Sequence, residues 1–170
     1  MTAVGTRATG GLTREDILAW LEQVADPEIP VLSVVDLGIV RDITITPAGV
    51  EIAVAPTYSA CPAMEAIEQG IVRELERHGV PSPRVKRVLS PPWTTDWLSE
   101  SGRRKLSAYG IAPPAGAAGK RSLRGGDRPL ACPRCGSRDA TRVSEFGSTP
   151  CKASYKCNAC LEPFEYFKCI

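Results

Sequence analysis

The chain has a single histidine among its 170 residues, His78, and no Glu-x-x-His pair. That pattern excludes a carboxylate di-iron centre of the helical-bundle kind. A glycine-rich nucleotide loop is missing too, so phosphate-cradling chemistry has no motif to rest on. No run of 18 apolar residues occurs, and Met1 to Gly11 is small and polar, without the apolar core of a secretory signal. A cytoplasmic chain with no membrane association is the expectation. The net charge of +2 gives no global field that would draw the chain to nucleic acid or to an anionic surface.

What is present is enough apolar content, 43%, for one ordinary domain plus a small module. Seven cysteines are also present, six of them within the last 39 residues. In a reducing compartment such crowding argues for metal ligation rather than a disulfide framework.

Thr13, followed by Arg14, Glu15 and Asp16, is a helix start, and Ile17, Leu18, Leu21 and Val24 recur at helical spacing to about Ala25. Asp26-Pro27 then stops the helix, because the residue before proline leaves the helical region. A structured loop with a short turn leads to a strand from Ile39 to Thr46. Pro47-Ala48-Gly49 turns the chain, and Val50 to Ala55 returns as the second arm of a hairpin. A helix is expected from Pro62 to about His78, closed by Gly79, and a third strand from Arg84 to Leu89. The order α-β-β-α-β implies an α+β fold, a small mixed sheet covered by helices. His78, at a helix C-terminus, is read as a solvated residue favoured by the helix dipole rather than as a ligand.

Cys61 lies where the second strand gives way to the second helix, beside Pro62, which suits a first helical position. Free backbone amides and the helix dipole there favour a thiolate, and the expected pKa falls from about 8.5 towards ~7. Such a thiol suits a metal or cluster ligand, or a nucleophile. The alternative is a small buried hydrophobe. A nucleophile would need a base, and His78 is a helix length away.

Pro91-Pro92-Trp93 breaks the pattern, and Thr94-Thr95-Asp96 caps a helical stretch that continues through Trp97 and Leu98. Trp93, Trp97 and Leu106 are read as covering the sheet, with Arg103, Arg104 and Lys105 as a solvated face. Residues 1–11 are expected to be a disordered terminus, 12–111 an α/β domain with a helical extension, 112–129 a Pro/Gly/Ala linker, and 130–170 a four-cysteine module. From Gly102 to Pro129 seven basic residues meet one acid, a local charge of +6. That run, with the aromatics, motivates an alternative function as a nucleic-acid-binding zinc ribbon.

Cys132-Pro-Arg-Cys135 and Cys157-Asn-Ala-Cys160 are two knuckle pairs, 21 residues apart. Each can turn two thiolates onto one ion, and together they read as a structural zinc ribbon. Arg142 to Glu145 and Ala153 to Lys156 form its hairpin, and Pro163 to Cys169 adds a third strand. The module is too small to fold securely on apolar residues alone, so the metal decides its stability. Cys151 and Cys169 are left over, as core residues, substitute ligands or a second thiol pair.

The runs Asp26-Pro27-Glu28-Ile29-Pro30, Val35-Asp36-Leu37-Gly38-Ile39-Val40 and Thr57 through Cys61-Pro62 resemble the MIP18-like (DUF59) family of small iron-sulfur assembly proteins. The run Pro91 to Leu106 and the tail Phe146-Gly147-Ser148-Thr149-Pro150-Cys151-Lys152-Ala153 resemble the D subunits of bacterial phenylacetyl-CoA epoxidase systems. That likeness spans nearly all of the chain from Leu12 to Ile170. The resemblance implies an accessory role in aerobic phenylacetate degradation, maturing or repairing metal centres rather than catalysing ring epoxidation. It implies Cys61 as the thiol that transiently handles iron or an iron-sulfur cluster, with Asp36 and Thr57 near it and Asp26 and Glu28 shaping the adjoining loop. It further implies the oxygenase or reductase subunits as clients, in preference to nucleic acid, and is compatible with a homo-oligomer.

Overall fold

The computed structural model describes residues 11–59, 61–114 and 130–168. The expected disordered terminus and most of the expected linker lie outside these residues. Contacts divide the chain into two units, residues 1–93 and 94–170.

The first unit begins with α1, Arg14–Leu21, opened by a reciprocal cap. The Thr13 hydroxyl accepts from the Asp16 amide at 3.1 Å, and the Asp16 carboxylate accepts from the Thr13 amide at 3.0 Å. The helix ends four residues before Ala25 because the Val24 amide tightens onto the Leu21 carbonyl, and Ala25 instead bridges to Ser33. Strand β1, Val40–Thr46, pairs antiparallel with β2, Gly49–Val54, and β2 pairs parallel with β3, Arg84–Arg87, in the order β1-β2-β3. Gly49 is required at the turn: its φ is +145°, and a Cβ there would come within 2.7 Å of the Pro81 carbonyl.

Helix α2, Met64–Arg77, buries Met64, Ile67, Ile71 and Leu75, and Val50, Ile52 and Val54 of β2 are buried as well. Each such side chain contributes about 1.5–3 kcal/mol. The unit therefore has a core that needs no metal. Gly70 lets α2 approach the end of α1, since a Cβ there would stand 3.1 Å from Val24 Cγ1. Trp93 is buried and its indole N–H donates to the Leu37 carbonyl at 2.9 Å.

The second unit opens with a 3-10 turn, Thr95–Trp97, and α3, Glu100–Tyr109, capped by Ser99 and closed by Gly110 at φ +92°. Strand β4, Ile111–Ala112, follows, then β5, Ala140–Ser144, β6, Lys152–Cys157, and β7, Pro163–Phe167. The sheet order is β4-β7-β6-β5, with β4 parallel to β7 and the rest antiparallel. The helical stretch, expected as an extension of the first domain, thus packs with the ribbon. Arg103 secures it by donating to the carbonyls of Thr95 at 2.8 Å and Pro114 at 2.9 Å. Ala112, Leu130, Tyr155 and Phe164 form a small core with Cys132 and Cys157. Among the described residues no helix is long and apolar enough to cross a membrane.

Candidate metal centre and thiol site

Both knuckles converge. The sulfurs of Cys132, Cys135, Cys157 and Cys160 all lie within 4.8 Å of one another. Cys132 and Cys160 are 3.8 Å apart, and Cys135 and Cys157 are 3.6 Å apart. A tetrahedral ion with metal–sulfur bonds of about 2.3 Å needs sulfur separations of about 3.8 Å. The four thiols therefore fit a tetrahedral metal, and together they form a metal-binding site.

The local fold supplies the geometry. The Gly136 amide donates to the Cys132 carbonyl at 2.8 Å, turning the first knuckle, with Gly136 at φ +76°. Asn158 fastens the second through the Asp139 carbonyl at 2.9 Å and carboxylate at 2.7 Å. The Cys160 amide, then the Ala159 amide and neighbouring thiols, favour the Cys157 thiolate, and its pKa drops to about 6. For Cys160, the Glu162 amide favours the thiolate but is outweighed by desolvation and by the sulfurs of Cys135, Cys157 and Cys132, so its pKa is pushed up to about 12. One thiol of the cluster thus ionises readily while another resists, and a bound cation would favour the thiolate at all four.

Cys61 occupies a different setting. Helix α2 begins at Met64 rather than Pro62, and Cys61-Pro62-Ala63 forms a turn in which the Cys61 amide donates to Tyr58 and its carbonyl accepts from Met64. The half-buried thiol is raised above its ordinary pKa, where the sequence led us to expect it lowered. Burial is the main cause; the Ala63 amide and the Thr57 hydroxyl favour the thiolate, while the Glu28 and Asp26 carboxylates oppose it. The helix-start amide is present as expected, but desolvation and two acids from the α1–β1 loop outweigh it. Arg87 of β3 acts on the same site, though Glu68 of α2 holds its guanidinium, with Nη2 3.1 Å from Oε2.

Among the other site residues singled out by sequence, Thr57 is brought to Cys61. Asp36 is buried and committed locally: its carboxylate accepts from the Ser33 amide at 3.1 Å and hydroxyl at 3.0 Å. The Asp36 amide donates back to Ser33 Oγ, a capping box whose Ser-x-x-Asp spacing is visible in the sequence. Asp26 accepts from the amides of Glu28 and Ile29, both at 2.7 Å, which fixes the loop that carries Glu28.

His78 stacks on Trp20, ring centroids 4.1 Å apart, and meets Glu74 at 3.1 Å, so it is packed rather than solvated. Cys151 is buried with its sulfur 3.1 Å from Thr149 Oγ1 and is not part of the four-thiol cluster. Cys169 lies outside the described residues. No sequence signal marked Lys152, which is buried on β6 and ion-paired at 2.8 Å with Glu165. Burial alone would raise Glu165, but Lys152 and Ser148 hold it below the usual carboxylate range.

Comparison with known proteins matches this division. Residues 14–90 match the iron-sulfur cluster assembly protein family, and residues 116–168 match the PaaD zinc beta ribbon domain. A protein of Escherichia coli (strain K12), provisionally named as the D subunit of 1,2-phenylacetyl-CoA epoxidase, is 48% identical over 155 residues, covering 91% of this chain and 92% of that protein. An Fe-S protein maturation auxiliary factor of Porphyromonas gingivalis is 33% identical over 96 residues, covering 55% of this chain and 90% of its own length. The crystal structure of a DUF59 domain from Bacillus anthracis superposes with a TM-score of 0.51 at 28% identity, covering 54% of this chain and 89% of that one. With an assembly-type first unit, a four-cysteine ribbon and nearly full-length similarity, the chain belongs to the family of the phenylacetyl-CoA epoxidase D subunits.

Proposed function

We propose that the chain is an accessory maturation factor of a phenylacetyl-CoA epoxidase system, acting in the cytoplasm. In this reading Cys61 takes up iron or an iron-sulfur cluster and passes it to the oxygenase or the reductase, and the ribbon cysteines hold a structural zinc. The observation that carries it is the setting of Cys61. Burial, Glu28 and Asp26 hold the proton on the Cys61 thiol, whereas the same two carboxylates favour an arriving cation. Cation binding releases the thiol proton, and Thr57 and the Ala63 amide support the sulfur once it is charged. A site with one thiolate is easier to leave than one with four, which suits transfer rather than storage.

The ribbon has a different task. Two of its sulfur pairs stand at tetrahedral separations and all four lie within 4.8 Å of one another, and a closed four-thiolate site leaves no open position for chemistry. Zinc there supplies folding energy.

The test is anaerobic loading with ferrous ion and sulfide, followed by transfer to iron-free oxygenase and cluster-free reductase, comparing wild type with Cys61→Ser. The expected result is a folded variant that retains ribbon zinc but transfers no iron. Equal metal occupancy on both clients from the variant overturns the assignment of Cys61. Iron in place of zinc in the purified ribbon overturns the assignment of the resident metal.

A further inference from the structure

A groove of about 360 Å³ lies between α2 and the segment that follows α1 in the first unit. Its lining includes Ala25, Pro27, Ala66 and Gly70, and of these Ala25, Pro27 and Ala66 are exposed. Arg73 and Arg77, one helical turn apart, also line it, with Glu74 between them. Arg77 is paired with Glu74 at 2.9 Å. Arg73 is exposed and has no ion-pair or hydrogen-bond partner among the described residues. The groove reaches the loop that edges the thiol site, because Pro27 stands between Asp26 and Glu28, the two acids that act on Cys61.

We infer that this groove docks an acidic segment of the protein that receives metal from Cys61. Carboxylates of that segment meet Arg73, and its small apolar residues lie against Ala25, Pro27 and Ala66. The inference rests on the reading of Cys61 as a metal-handling thiol and names its partner. A protein awaiting iron presents anionic ligands, and Asp26 and Glu28 repel them at the point of transfer. A cation in the adjoining groove, unpaired among the described residues, offsets the repulsion and fixes the approach. Arginine suits the task because its planar fork pairs with a carboxylate bidentately. Small side chains on the groove floor let a second backbone come close, which long side chains would prevent.

The experiment is an amide-detected NMR titration of the full chain with a defined probe, an alanine-rich peptide carrying glutamates at one-turn spacing. The same peptide with glutamine in their place serves as the comparison. The expected shifts fall on Gln23, Ala66, Gly70 and Arg73 and occur with the glutamate peptide only. Arg73→Glu weakens binding by about tenfold, and the milder Arg73→Gln by less, with both variants melting like wild type. Equal binding of the two peptides, shifts elsewhere in the chain, or unchanged binding by Arg73→Glu overturns the inference. Shifts of the same amides with protein concentration alone assign the groove to a second copy of the chain and also overturn it. Cys61→Ser binds the peptide as wild type does. Intact docking with iron transfer that ignores Cys61 removes the proposed function alone, whereas Cys61-dependent transfer without docking removes this inference alone.

Discussion

The four ribbon thiols and the lone thiol of Cys61 sit in opposite electrostatic settings. In the ribbon, amides of the second knuckle and adjacent sulfurs favour the Cys157 thiolate, lowering its pKa to about 6. At Cys61, burial, Glu28 and Asp26 hold the proton on sulfur. The first unit also has a core of Ile52, Ile67, Ile71 and Leu75 that stands without metal, whereas two ribbon cysteines, Cys132 and Cys157, are themselves part of the small core around them. The ribbon thiols are therefore built into the core of their unit, whereas Cys61 is not among the buried core residues of its own.

The largest effect that could break this contrast is metal removal. Chelation, or Cys157→Ser, should unfold the ribbon by withdrawing on the order of 10 kcal/mol, while the first unit keeps its hydrogen-exchange protection. Joint loss of both units would end the comparison. Next comes the half-buried ion pair. Lys152→Ala should cost about 1–2 kcal/mol, because Glu165 loses its cation but keeps the Ser148 hydrogen bonds, and thermal melts should place the loss in the second unit. Glu165 is depressed in the folded state, so its contribution is present above the ordinary carboxylate pKa and fades as pH falls through the folded value. A melting temperature that rises on acidification would contradict this sign.

Cys61→Ser should shift stability by less than about 1 kcal/mol while abolishing iron transfer. The smallest and sharpest effect belongs to Glu28→Gln. Removing that charge should speed alkylation of Cys61 several-fold at pH 8, since less opposes the thiolate, and should weaken retention of ferrous ion. Changes in the same direction would show that Glu28 acts through shape rather than charge.

Much of the fold was legible because it is local. The Thr13 cap, the Pro47-Ala48-Gly49 turn, the apolar face of α2 and the two knuckles each announce themselves within a few residues. The ionisation of Cys61 was not legible, since it depends on acids more than thirty positions earlier in the sequence. The place of α3 was hidden for the same reason: a two-residue strand, β4, finds its partner in β7, some fifty positions later. Asp36 is the instructive case. The resemblance implied a place near the thiol, whereas the Asp36 carboxylate is committed to the Ser33 amide and hydroxyl in a capping box.

The parallel β4–β7 pairing also sets an order of events during synthesis. In the sheet β4-β7-β6-β5, the last strand to be made lies between two earlier ones. Residues 1–93 can close on themselves while the remainder is still being translated. The second unit cannot, because β4 and β6 have no common neighbour until Pro163–Phe167 emerges. A nascent chain stalled before Pro163 would thus carry a finished first unit and all four ribbon thiols, but no strand to join β4 to β6.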